Sequence, residues 1–188
     1  MELKPLFPTP LYWNDVDSNL ADKVEDLFVS RLEQIPQQTI HKTDFHEQTK
    51  ILDLEKDLPE LKKQIMNNIK TFCEMTGIAV DPDMEFNSWA QDYSRSADYH
   101  PLHSHGFHGV SGIYWVRAND AAGMTIFQSP NPYLRNAKRM KETDATHGLF
   151  GLHPKKGTLV LWPAWLDHAV EPSQEGAIRS TIAFNLCE

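Results

Sequence analysis

Four histidines, His100, His103, His105 and His108, fall within nine residues of a chain that has nine histidines in all. They lie in the stretch "YHPLHSHGFHGVSGIYWV", residues 99–116, whose second half is rich in residues that favour strands. Residues i and i+2 of a strand share a face, so a strand through "HSH" would aim His103 and His105 at one point. Two neutral imidazoles meeting there are the beginning of a metal site, with ligand distances of roughly 2.0–2.2 Å. Such a pair needs a third ligand, and "PAWLDHAV" (163–170) supplies His168 at the head of a later strand.

A second feature follows His168. Arg179, Ser180 and Thr181 open the run "RSTIAFNL", whose apolar, β-branched character reads as a buried strand. Returned antiparallel beside the His168 strand, it would place Arg179 near the metal, with Thr181 on the same face. A buried guanidinium requires an anion. Nothing acidic stands in that strand, so a bound carboxylate, clamped bidentately, is the expected partner.

These residues need a frame that holds them. Residues 5–13, with prolines at 5, 8 and 10, read as an extended segment suited to a sheet rim. Leu20, Val24, Leu27, Phe28, Leu32 and Ile35 repeat at helical spacing, with Asp17 or Ser18 as cap and Pro36 as stop. A second helix is expected from Asp57 as cap and Pro59 in the first turn, burying Leu61, Ile65, Ile69, Phe72 and Cys73 and ending at Gly77. His41 and His46 sit in the polar stretch between the two helices.

After Pro82 the pattern turns to short β runs at 84–93, 109–116, 123–128, 157–163, 168–172 and 179–186. The sequence therefore predicts one α+β domain over 1–188, with helical support over about 17–77 and a β core over about 84–187. The stretch 129–150 interrupts the strands. Its Tyr133, Arg135, Lys138 and Arg139 make it a candidate substrate lid.

The formal net charge of −8 argues against a general nucleic-acid-binding role, because an acidic surface repels phosphate, and leaves only the local basic patch "LRNAKRMK" (134–141) open to one. Two cysteines, Cys73 and Cys187, provide neither a disulfide framework nor a CxxC site. No signal peptide or long apolar span is evident, so a cytoplasmic protein without a membrane role is expected. A homodimer stays open.

The order of these motifs resembles the Fe(II)- and 2-oxoglutarate-dependent oxygenases, and within them a small bacterial and phage branch of prolyl-hydroxylase-like enzymes. The resemblance rests on "LFPTPLYW", "SWAQDY" (88–93), "HSHGFHGVSGIYWV" (103–116), "GTLVLWPAWLDHAVEP" (157–172) and "RSTIAFN" (179–185), which run in order along the chain. It implies a double-stranded β-helix (jelly-roll) core with N-terminal supporting helices. It implies Fe(II) as metal, 2-oxoglutarate as co-substrate and O2 as oxidant, with a substrate hydroxylated while succinate and CO2 are released. His103 and His168 would hold iron, and Arg179, assisted by Thr181, would bind the distal carboxylate of 2-oxoglutarate.

The chain departs from the commoner His-x-Asp/Glu motif at position 105. Three histidines, His103, His105 and His168, form the favoured ligand set, with Asp98 as the other candidate carboxylate, while Asp167 adjoins His168 and in a strand would face the other way. Tyr114 is assigned a hydroxyl reaching the co-substrate. His108, Tyr93, Trp115, Tyr133 and Arg135 are assigned to the prime substrate, a small molecule or peptide. Two other classes fit three histidines: a non-redox cupin-like metalloprotein holding Zn or Mn, which has no need of Arg179, and a non-enzymatic binding module.

Overall fold

The structure is a computed structural model, and it describes residues 7–34, 52–135, 143, 146 and 148–187. Two helices and nine strands occur among them in the order β1 (Tyr12–Asp15), α1 (Ser18–Leu32), α2 (Pro59–Thr76), β2 (Glu85–Asp92), β3 (His100–His103), β4 (Gly109–Ala118), β5 (Thr125–Gln128), β6 (Leu149–Leu152), β7 (Thr158–Pro163), β8 (His168–Val170) and β9 (Arg179–Cys187).

The strands form a five-stranded sheet, ordered β1-β7-β4-β9-β2, and a four-stranded sheet, ordered β3-β8-β5-β6. Every pairing is antiparallel. This is the expected double-stranded β-helix, and the two helices pack on the outer face of its larger sheet.

Two cores result. Leu20, Val24 and Phe28 of α1 and Leu61, Ile65, Ile69 and Phe72 of α2 pack against Tyr114, Leu161 and Phe184 of the large sheet. Each such side chain, fully buried, contributes about 1.5–3 kcal/mol relative to exposure. The second core, Ile113, Trp115, Phe127, Val160, Trp162, Leu166 and Ala183, lies between the sheets. Strand alternation divides the residues: Val110, Tyr114 and Val116 of β4 face the helices, while Ile113 and Trp115 face the other sheet.

Asp17 caps α1 through its carboxylate, which accepts from the amides of Asn19 and Leu20. The residue before α2 is Leu58 rather than the expected Asp57. Asp57 is engaged elsewhere, accepting from the Asp53 amide at 2.9 Å and pairing with Arg31 at 3.5 Å. Gly77 ends α2 with φ of 75°, a left-handed conformation, and its amide returns to the Cys73 carbonyl.

β1 sits at the rim of the large sheet, as the prolines suggested. Two strands were not apparent in the sequence. β3 is four residues long and contains Pro101, and β6 begins in the last two residues of the stretch read as a loop. The 129–150 excursion is closed at its base, where Gln128 pairs with Leu149 and the Ser129 amide donates to the Gly148 carbonyl. Lys138, Arg139, His41 and His46 lie outside the described residues.

Candidate active site

His103, His105 and His168 converge, each offering a ring nitrogen within 4.8 Å of the others. The route differs from a simple strand pair. His103 ends β3, directly opposite His168 of β8. His105 lies beyond the strand, in a loop pinned by its own amide donating to the Ala164 carbonyl at 2.9 Å. Gly106 follows with φ of 111°, a region open to glycine, and turns the chain away from the site.

Two of the imidazoles are held in one tautomer. The Nδ1–H of His103 donates to the Pro101 carbonyl at 2.8 Å, and that of His168 to the Leu166 carbonyl at 2.9 Å. A carbonyl only accepts, so the proton sits on Nδ1 and Nε2 carries the lone pair, the tautomer in which an imidazole binds metal through Nε2. Trp162 packs edge-on against His168, with ring centroids 4.8 Å apart, and Trp89 lies 6.1 Å from His105.

Burial favours neutral rings. It pushes His168 well below the ordinary histidine range, lowers His103, and brings His105 down to about 4. Neighbouring imidazoles lower His168 and His105 further. Neutral imidazole is the form that binds metal. A donor set of buried, deprotonated and oriented nitrogens fits a divalent first-row ion.

Among the described residues no carboxylate joins this cluster. Asp98 accepts from the Arg95 amide at 2.9 Å through its own turn. Asp167 is turned toward Arg135, at 3.7 Å.

Arg179 lies in the same cavity and is 1% exposed. Its Nη2 donates to the Thr125 hydroxyl at 2.9 Å, and its guanidinium lies over the Tyr93 ring at 4.6 Å. Its Nε and Nη1 have no hydrogen-bond partner, and among the described residues no carboxylate pairs with it. Burial lowers its pKa to about 10, so it stays charged at neutral pH. Thr181 also lines the cavity, its buried hydroxyl without a partner.

The other expected residues divide. Tyr93 lines the cavity, and burial raises its phenol to about 12. Trp115 is on the cavity side of β4, within the inter-sheet core. Tyr114 is corrected: it packs into the helix-side core, on the opposite face of β4 from the histidines. His108 is also not brought to the cluster. It joins Phe107, Trp165, Ile78 and Met84 along a separate surface groove. Tyr133 is 86% exposed, and Arg135 donates to the Ser129 carbonyl at 2.7 Å while pairing with Asp167.

Sequence reasoning passed over several residues of the cavity, His100 and Thr125 among them. His100, read as loop before a proline, stacks on His103 with centroids 4.2 Å apart and shares a 3.1 Å hydrogen bond with the Tyr93 hydroxyl. Burial lowers it to about 3. Thr125 had no signal beyond its place in the run "GMTIFQ".

A jelly roll with three histidines and a buried arginine inside it defines a class, the metal-dependent oxygenases of this fold. Residues 87–185, just over half of the chain, match the family described as "Putative 2OG-Fe(II) oxygenase". The chain belongs to that family, and it is an Fe(II)- and 2-oxoglutarate-dependent oxygenase that uses O2.

Solved structures share its fold. A Pseudomonas putida prolyl-4-hydroxylase superposes with a TM-score of 0.64 at 11% identity, covering 96% of this chain and 94% of that one. EctD from S. alaskensis, solved with 2-oxoglutarate and 5-hydroxyectoine, gives 0.61 at 10% identity, covering 95% and 72%. HygX from Streptomyces hygroscopicus, with nickel and 2-oxoglutarate bound, gives 0.56 at 14% identity, covering 95% and 82%. No curated protein matches the chain. Among the described residues no helix is long and apolar enough to cross a membrane.

Proposed function

We propose that this oxygenase hydroxylates a C–H bond of its prime substrate, converting 2-oxoglutarate to succinate and CO2. His103, His105 and His168 would hold the iron, and Arg179 would clamp the distal carboxylate of 2-oxoglutarate. The observation that carries this reading is the state of Arg179: buried, charged, and with two N–H-bearing nitrogens unpartnered in the cavity that also holds three neutral imidazoles. Iron bound there would supply dioxygen activation, with one oxygen atom passing to succinate and the other to the substrate carbon.

The chain's own part is binding, orientation and exclusion of water. The Pro101 and Leu166 carbonyls fix two imidazole tautomers. Thr125 accepts from Arg179, which leaves its own O–H to donate to a carboxylate beside the guanidinium. Thr181 supplies a second hydroxyl. Tyr93 supports the guanidinium from below with its ring face. Trp89 and Trp162 wall the histidines with apolar surface. A reducing, cytoplasmic setting suits the two free cysteines.

The test is isotopic. Iron-loaded protein is incubated with 2-oxoglutarate under 18O2, and the succinate is analysed by mass spectrometry. One labelled oxygen per succinate is expected. Recovery of 2-oxoglutarate unchanged, with metal bound, would instead support a non-redox metalloprotein.

A further inference from the structure

The inner face of the large sheet is banded. Gln91, Thr181 and Trp115 stand side by side on β2, β9 and β4. The next row inward along the strands is apolar: Trp89, Ala183, Ile113 and Val160. A second polar row follows, in which Asn87 pairs with Asn185, Asn185 with Ser111, and Ser111 with Trp162. Arg179 lies at the first polar end. Six residues of strand, about 20 Å at roughly 3.3 Å each, separate it from Asn185.

The histidines meet the cavity between these ends, His105 against Trp89 and His168 against Trp162. The first polar band therefore belongs with Arg179 and the co-substrate. The second has no such use. Yet the Asn185 Oδ1, the Ser111 Oγ and the Trp162 Nε1 are all buried without a hydrogen-bond partner. Asn185 is 8% exposed, Ser111 0% and Trp162 1%, and Asn185 and Trp162 line the cavity that holds the histidines. Buried polar atoms of this kind are costly unless something meets them. Asn87, at the sheet edge, is exposed, so the row opens to solvent there.

We propose that Asn185, Ser111 and Trp162 form the prime-substrate subsite and recognise an uncharged amide group. This deepens the oxygenase reading and rests on it. The chemistry of the row selects the group. Trp162 offers only a donor, the orphaned Asn185 oxygen is an acceptor, and Ser111 is both. A carboxamide answers all three with its carbonyl and its N–H. The row carries no charge, so a substrate carboxylate or ammonium would enter without a counter-ion and lose its hydration. Ser111 stands between the other two, each neighbouring pair roughly 4.5–5.5 Å apart at Cβ, so the longer Asn185 and Trp162 side chains flank a space above Ser111 that one planar amide can occupy.

The test uses three probes that share one apolar body: benzamide, benzoate and benzylammonium. Protein loaded with redox-silent Zn(II) and saturated with 2-oxoglutarate is titrated with each. The Trp162 indole N–H is followed by NMR and assigned by its disappearance in Trp162→Phe. Benzamide is expected to bind about tenfold more tightly than the two charged probes and to shift that resonance. Asn185→Leu should remove the advantage, and the isosteric Asn185→Asp should move the preference to benzylammonium. Both variants should bind 2-oxoglutarate as wild type does.

Equal binding of the three probes, or no binding, overturns the proposal. So does an amide preference that survives Asn185→Leu, or a loss of 2-oxoglutarate affinity in that variant. Failure of wild type to bind 2-oxoglutarate would instead strike the co-substrate assignment, while titration with Zn(II) alone still judges the amide subsite.

Discussion

Arg179 donates to the Thr125 hydroxyl at 2.9 Å, and this contact joins the two sheets beside the cavity. The contact holds one arm of the guanidinium while Nε and Nη1 stay without partners. A buried cation so arranged awaits a ligand. Replacing Thr125 by Val should therefore weaken 2-oxoglutarate binding by about 10- to 150-fold, the worth of one hydrogen bond to a charged group at about 1.5–3 kcal/mol. Iron stoichiometry should be unchanged. Calorimetry on metal-loaded protein measures both.

The histidine cluster makes a contrast between two kinds of substitution. His103→Ala and His168→Ala each remove a ring fixed by its backbone carbonyl, and each should abolish iron binding at micromolar metal. His105→Asp should retain iron, because a carboxylate at that point makes the usual two-histidine, one-carboxylate set. Metal analysis after gel filtration reads all three. Loss of iron from His105→Asp with the fold intact by circular dichroism would remove position 105 from the ligand set.

Tyr114 gives a negative prediction. Its side chain lies on the helix side of β4, with a buried hydroxyl that has no hydrogen-bond partner. Burial raises that phenol to about 12. Tyr114→Phe should leave 2-oxoglutarate affinity within about twofold and leave stability equal or slightly raised, since it removes an unsatisfied group. A large loss of affinity would bring Tyr114 back to the site.

The metal-free protein should be acid-sensitive. His100 at about 3, His105 at about 4, and His103 and His168 lowered, all have folded pKa values below the unfolded value near 6.5. As pH falls through about 6.5 the unfolded chain takes up protons that the folded chain refuses, so stability is lost downward from there until about pH 4 to 3. It is fully present above about pH 7. The melting temperature of apo protein between pH 7 and 4 should fall, and less steeply in His100→Asn. An equal slope would show that these rings do not carry the dependence.

Much of this site is legible in the sequence because His103 and His105 stand two residues apart and His168 and Arg179 open runs with strong strand patterns. His168 and Arg179 head strands that the β runs predicted, but β9 lies in the opposite sheet from β8 rather than beside it, so Arg179 reaches the histidines across the cavity. The side of β4 on which each residue falls is not legible. Eight consecutive residues of that strand are buried, so both faces are apolar and the alternation that would have turned Tyr114 away is missing. His100 was hidden for a different reason. A four-residue strand with a proline carries almost no periodic signal, and the stack on His103 depends on the pairing of β3 with β8. The Asn185, Ser111 and Trp162 row exists only through cross-strand register, which joins positions far apart in the chain.

The most direct measurement is an anaerobic titration of the Fe(II) protein with 2-oxoglutarate and with pyruvate, which lacks the distal carboxylate. It follows the visible charge-transfer band of the chelate. Wild type should bind 2-oxoglutarate far more tightly than pyruvate. Arg179→Ala should bind iron normally, lose that preference, and weaken for 2-oxoglutarate by about 30-fold to several thousand-fold. This corresponds to about 2–5 kcal/mol for breaking a buried charge pair. Arg179→Lys should recover part of it, keeping charge without the planar fork. A preference for 2-oxoglutarate that persists undiminished in Arg179→Ala would contradict the account and place the carboxylate clamp elsewhere.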